Sequence, residues 1–141
     1  MVSPAKLLLE VVTPDRSLVR EEVDEVQIPG SEGYLGVLPG HTPLLATLQI
    51  GELWYRIGPE KHFLAIAFGF GEVLPDRVTV LAQAAERAED IDVARAEACR
   101  KRAEERLARR DVEAVEIERA RTALLKALMR VQVASHARTK V

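Results

Sequence analysis

One cysteine, Cys99, occurs in 141 residues. This excludes an intramolecular disulfide framework and a metal site built from several cysteines. No apolar run comes near the roughly 18–20 residues that cross a bilayer. The opening Met1-Val2-Ser3-Pro4-Ala5-Lys6 lacks a basic stretch leading into a long apolar one, so no secretory signal is expected there and an intracellular setting is. An excess of positive charge is also missing. The net charge is −2, which argues against general nucleic-acid binding through phosphate neutralisation.

The most informative absence is local. All seven prolines lie at or before Pro75, all eight glycines at or before Gly71, and all six aromatics (Tyr34, Trp54, Tyr55, Phe63, Phe68, Phe70) in the same stretch. The remaining 66 residues contain none of them. Gly and Pro punctuate turns, and aromatics favour sheets, so their joint disappearance marks a change of architecture. The change falls between Ala82 and Asp90, which gives domains 1–84 and 85–141. Charge changes with it. Residues 1–84 carry 6 basic and 11 acidic side chains, whereas residues 85–141 carry 14 and 11. A mildly basic second part suits an acidic protein partner.

What is present in the first part is alternation. Leu7, Leu9 and Val11 alternate, as do Val26 and Ile28, Leu53, Tyr55 and Ile57, and Val78 and Val80. Phe63 to Phe68 is nearly all apolar, as in a strand buried on both faces. Pro29-Gly30 and Gly58-Pro59 end two of these runs. Many short strands separated by turn signals predict a β-sandwich, of about ten strands. Gly30-Ser31-Glu32-Gly33-Tyr34-Leu35-Gly36 has the glycine content of a phosphate loop but lacks its Lys-Ser/Thr ending, so a turn with a bulge is expected. Gly69-Phe70-Gly71 inside a strand pattern predicts a bulge or a close backbone approach.

The second part is rich in Ala, Glu, Arg and Leu, all good helix formers. Ala96, Cys99, Ala103 and Leu107 form one apolar stripe, and Ile117, Ala120, Leu124, Leu128 and Val131 form another. Acidic residues open each segment and basic ones close it, complementing two helix dipoles. Glu97 with Lys101 and Glu105 with Arg109 are i,i+4 pairs. The fold class is therefore α+β: a sandwich followed by a two-helix antiparallel hairpin bent near Arg110-Asp111. The first stripe is mostly small residues, so the hairpin buries little apolar surface and a low barrier to straightening is expected.

Val26 to Leu45, with Leu35-Gly36-Val37-Leu38-Pro39-Gly40-His41-Thr42-Pro43-Leu44 at its heart, resembles the epsilon subunit of bacterial F-type ATP synthase. Val11-Val12-Thr13-Pro14-Asp15, Phe68 to Val73, Val78 to Ala82 and Ala85 to Ala96 carry the likeness over almost the whole chain. The resemblance implies a non-catalytic rotor subunit, with no catalytic residue, no metal and no obligatory cofactor. Its partners would be the gamma subunit, the c-ring, and the alpha and beta subunits of the complex. Its place would be peripheral, on the cytoplasmic face of the bacterial plasma (inner) membrane. The segment holding Glu32, Tyr34 and His41 would meet gamma and the ring, although many members have an acid at the position of Tyr34.

Some members of that family bind regulatory ATP in the helical part. Their Ile/Leu-Asp-x-x-Arg-Ala signature is Ile91-Asp92-Val93-Ala94-Arg95-Ala96 here, with Glu86 upstream and Arg102, Lys126 and Arg130 at further matching positions. Lys126 stands where the ATP-binding members have Arg. Guanidinium and ammonium groups suit phosphate oxygens, and carboxylates suit adenine or ribose donors. Asp92 would equally serve as a helix cap, or pair with Arg95 one turn on. Arg119, Arg121, Lys126 and Arg130 would face an acidic loop of the beta subunits when the helices inhibit ATP hydrolysis, or form an ordinary solvated face. Two other readings stand beside these: a stand-alone β-sandwich protein-binding module with a helical dimerisation tail, and a small hydrolase using His41 or His62, for which no nucleophile is evident.

Overall fold

The computed structural model describes residues 5–138. The opening residues Met1 to Pro4, read above for a leader, lie outside the described residues. The chain forms two compact units, Met1–Arg87 and Ala88–Val141. The first holds eight strands among the described residues: β1 (Leu7–Val12), β2 (Ser17–Val23), β3 (Glu25–Gly30), β4 (Gly33–Val37), β5 (Leu44–Leu48), β6 (Gly51–Ile57), β7 (Glu60–Leu74) and β8 (Arg77–Arg87). These are eight strands rather than about ten, and two of them are long: β7 runs 15 residues and β8 runs 11.

Hydrogen bonding runs β2-β1-β8-β7-β5-β3-β4, and β6 pairs with β3 and β7. All pairs are antiparallel except β1 with β8. β7 is the element shared between layers. Its first half pairs with β6 up to Ile66, and its second half pairs with β5 from Gly69. The change of partner occurs at Phe68, which has φ 62, and Gly69, which has φ 137. A left-handed backbone at a bulky residue is costly and persists only where its surroundings enforce it. Gly69 has no room for a side chain. A Cβ there would lie against the Leu81 carbonyl oxygen and 2.8 Å from Ala82 Cα. The lone Gly-x-Gly is thus a close backbone approach that lets one strand serve two layers.

The sandwich core is made by the alternating residues. Leu7, Leu9, Val11, Val26, Ile28, Leu53, Tyr55, Val78 and Val80 are all essentially inaccessible. Leu64 to Ala67 are buried in succession, as a strand covered on both faces requires. The division at 84/85 falls inside β8, which continues to Arg87.

The second unit begins with a 3-10 turn, Ala88–Asp90, followed by α1 (Val93–Ala108) and α2 (Ala114–Arg138). Residues 109–113 form the bend. The helices meet through alanine at seven-residue intervals, Ala96 and Ala103 on α1 and Ala120, Ala127 and Ala134 on α2, all buried. This corrects the second stripe. Leu128 is 45% exposed, and Ala127 takes the inward position. Small residues let two helices approach closely but bury little surface. The five methyls supply about 4 kcal/mol, at about 0.8 kcal/mol each, to which buried Val133 and half-buried Leu107, Ile117, Leu124 and Val131 add. The ion pairs on α1 also differ from expectation. Glu97 accepts from Arg100 at 2.6 and 2.9 Å, not from Lys101, and Glu104 binds the same guanidinium at 2.8 Å. One guanidinium reaches both carboxylates through its fork, which an ammonium cannot do.

Candidate functional site

Two surfaces collect the residues singled out above, one on each unit. On the sandwich, Ser31 and Glu32 form the two-residue turn between β3 and β4, closed by the Gly30–Gly33 pair. Glu32 is exposed at its tip. Tyr34 follows on β4 and is 49% exposed, and its hydroxyl accepts a hydrogen bond from Glu52 N–H at 3.2 Å. His41 sits in the loop between β4 and β5. Its backbone N–H donates to the Leu38 carbonyl at 3.2 Å, and its Nδ1 lies 2.7 Å from the Thr42 carbonyl oxygen. The adjacent Gly40 N–H bonds Pro75 at 2.7 Å.

The structure does not bring these three residues to one point. Ser31 N–H bonds Thr47, near the end of β5, at 2.8 Å, whereas His41 precedes the start of β5 at Leu44. Four strand residues separate the two ends by about 13 Å.

Sequence reasoning passed over the feature between those ends. Phe70 on β7 lies opposite Leu81 on β8 and Thr47 on β5. Leu45, two residues before Thr47, projects to the same side. Phe70 is 61% exposed, Leu81 54% and Leu45 76%. Three large apolar side chains on one open sheet face make a contiguous patch of the kind that marks an interaction site. The clue was in the register. Phe70 alternates with buried Gly71, so an aromatic had to face out.

On the hairpin, Asp92 is the N-cap of α1, and its carboxylate accepts the Arg95 N–H at 3.0 Å. Ala96 is wholly buried between the helices, so it packs and cannot touch a ligand. Arg95 is exposed, and its guanidinium has no partner among the described residues. A groove of about 250 Å³ lies between the helices, lined by Cys99, Arg102, Ala103, Arg106, Ala120 and Ala123. Arg102 Nη2 lies 3.2 Å from Cys99 Sγ. At about 100° per residue, Arg95, Arg102 and Arg106 share the α1 face that borders this groove. Arg119, Lys126 and Arg130 fall within about 40° of one another on the α2 face that carries Ala123.

The basic set of α2 is therefore three residues and not four. Arg121 stands about 200° around the helix from Arg119 and pairs with Glu118 at 3.1 Å. Glu86 lies on β8, in the sandwich unit. Among the described residues no group of three or more His, Cys, Asp or Glu could hold a metal ion. No helix among them is long and apolar enough to cross a membrane.

Two family models cover the chain. The beta-sandwich domain of the ATP synthase Delta/Epsilon chain matches residues 6–88, and the long alpha-helix domain of the same chain matches residues 89–135. The ATP synthase epsilon chain of Syntrophobacter fumaroxidans is 52% identical over 129 residues, covering 92% of this chain and 96% of that one. The epsilon chain of Koribacter versatilis is 58% identical over 98 residues, 70% of this chain and 69% of its own. Among solved structures, a chain of the Euglena gracilis mitochondrial ATP synthase superposes with a TM-score of 0.78 at 27% identity, covering 96% of this chain and 82% of that one. A chain from the central stalk and c-ring of the Tetrahymena thermophila enzyme shares the fold, with a TM-score of 0.60 at 10% identity over 92% of this chain and 96% of that one. With both domain models matched in order, and with relatives half identical over nearly their full length, the chain belongs to the ATP synthase delta/epsilon chain family.

Proposed function

We propose that this chain is a non-catalytic central-stalk subunit of a bacterial F-type ATP synthase. In this reading the sandwich carries the attachment. The Leu45, Phe70 and Leu81 face docks on gamma, and the Glu32 and His41 ends of the same unit meet gamma and the c-ring. The chain couples ring rotation to the head formed by the alpha and beta subunits. It lies at the cytoplasmic face of the inner membrane, held there through the complex. Bacterial epsilon chains as its relatives, and stalk and ring complexes as its structural neighbours, support this assignment.

The hairpin is the regulatory part in this reading. Its alanine interface is weak enough for the helices to separate, and the separated helices inhibit ATP hydrolysis by presenting Arg119, Lys126 and Arg130 to an acidic surface of the head. ATP favours the packed form. The observation that supports this reading is the groove between the helices, lined by Arg102 and Arg106 of α1 and by Ala120 and Ala123 of α2, which exists only when the hairpin is packed. Its volume is below the roughly 300–1,000 Å³ of pockets that enclose a whole ligand. Phosphate oxygens would therefore meet the guanidinium groups while the base stays outside the groove. Arg95 and Arg102 would bind phosphate, and Asp92 would hold the helix end in place.

The experiment is calorimetric titration of the full chain with ATP, using ADP as comparison. Saturable ATP binding is expected. Arg95→Ala and Arg102→Ala should each weaken it about tenfold or more, in line with the loss of a hydrogen bond to a charged group. Arg121→Ala should leave it unchanged. Wild-type affinity in Arg95→Ala would show that the site is wrong.

A further inference from the structure

The helical unit is not held evenly along its length. Among its described residues two buried side chains are larger than a methyl group, Ile91 and Val133, and both lie at the end away from the bend. Val133 is wholly inaccessible. Yet it stands about 100–140° around α2 from the line of Ala120, Ala127 and Ala134 that meets α1. A second element must therefore cover it. Besides α1, the 3-10 turn Ala88–Asp90 packs on α2. The bend end is different. Leu107, Val112 and Ile117 are only half-buried, Val115 is exposed, and the groove lined by Cys99 and Ala123 lies on this side.

The turn is built to hold its place. Ile91 N–H donates to the Ala88 carbonyl at 3.4 Å, and Ala88 is buried with Ile91. Asp92 then caps α1, so Ile91 immediately precedes the cap and Ala96 is the fourth residue of the helix. An apolar residue before the cap, packed against one at the fourth helical position, fixes the angle at which a chain enters a helix. Here both are buried. Ile91 and Val133 are also β-branched, so they have few rotamers to lose when they pack.

We infer that the 3-10 turn is the clasp of the hairpin: Ala88 and Ile91 close on Val133, and this contact, more than the alanine seam, decides whether α2 stays folded back. Ile91 and Val133 together bury more side-chain carbon than the five seam alanines, and they bury it at one point. The seam spreads its methyls along α2 from Ala120 to Ala134, two turns apart. This uneven packing gives opening a direction. The bend end loosens at little cost, whereas α2 as a whole leaves α1 only when the clasp opens. In its use, though not in its geometry, the inference rests on the regulatory reading of the hairpin.

The test is residue-resolved hydrogen exchange on the full-length chain, comparing wild type with Ile91→Ala, Val133→Ala, their double variant and, at the bend end, Leu107→Ala. In wild type the amides of Met129 to Ala134 are expected to be better protected than those of Ile117 to Ala123. Each clasp variant should raise exchange throughout α2 about tenfold or more, with β7 and β8 at wild-type rates. The double variant should add less than about threefold to either single one, because both remove the same contact. Leu107→Ala should raise exchange only near the bend. Unchanged exchange in α2, or the reverse order of protection in wild type, overturns the clasp. So do additive effects of the two substitutions, an equal loosening of all α2 by Leu107→Ala, or unfolding that spreads to the sandwich. A parallel measurement of ATP hydrolysis by the assembled complex separates the two readings. A looser α2 with unchanged hydrolysis keeps the clasp and removes its regulatory use.

Discussion

Truncating Phe70 tests whether the open face of the sandwich is a docking surface. An aromatic side chain carries roughly 150–250 Å² of surface. At 61% exposure, Phe70 has about 120 Å² left to bury. At about 25 cal/mol per Å², that is worth about 3 kcal/mol on docking, as an upper bound. Leu81 opposite it and Leu45 beside it have about 1–2 kcal/mol each to give. The entropic cost of association is shared by wild type and variant and cancels in their difference. Phe70→Ala is therefore expected to raise the dissociation constant for isolated gamma by about two orders of magnitude. Phe70→Ala with Leu81→Ala should abolish co-purification. Neither change touches the core, so the thermal stability of the free chain should shift by no more than about 0.5 kcal/mol. Binding would be measured by calorimetry or interferometry with purified gamma. A change of less than about threefold in the double variant refutes the reasoning, since a face that loses two of its three apolar groups without effect is not buried in the complex.

Gly69→Ala should destabilise the sandwich by about 2–4 kcal/mol, because it adds a Cβ against the Leu81 carbonyl at a backbone angle that side chains avoid; a fall in melting temperature of under about 2 °C would contradict the close approach described here. Asp24 gives a pH dependence with a definite sign. The hydrogen bond from Lys6 at 2.5 Å, then the one from Gly58 N–H at 2.7 Å, hold its carboxyl below the ordinary aspartate value. A lowered folded-state pKa contributes stability that is present above the unfolded value, near 3.9, and lost as pH falls through the folded one. Asp24→Asn should therefore flatten the acid side of the stability profile, and equal slopes for wild type and variant between pH 5 and about 2 would show the carboxylate to be irrelevant.

Much of the fold was legible because its signals are local. Period-two alternation placed β1, β3, β6 and β8, and the stripe Ala96, Cys99, Ala103 and Leu107 placed the inner face of α1. β2, β4 and β5 were missed. β2 carries three consecutive charged residues, Arg20, Glu21 and Glu22, and only Val19 and Val23 are fully buried. In β4 and β5 exposed Tyr34, Leu44 and Leu45 break the alternation. Leu45 shares the exposed face of Phe70 and Leu81, whereas Leu44, next to it, points to the other face and is still 40% exposed, so neither reads as an alternating pair. The α2 stripe was misread at one member, where Leu128 was given preference over Ala127, whereas close helix packing selects the smaller residue; Ala120 is buried as read.

By itself the sequence determined two architectures in one chain, their order, and the family likeness, since composition, periodicity and motif are properties of neighbouring residues. Only the tertiary structure decided which residues act together. It set Glu32 and His41 at opposite ends of β5 and joined Arg87 to Leu18. It also gathered Phe70, Leu81 and Leu45 onto one face. Each of these is a matter of register or side-chain reach across strands distant in the chain, and such distances are fixed only when the layers pack.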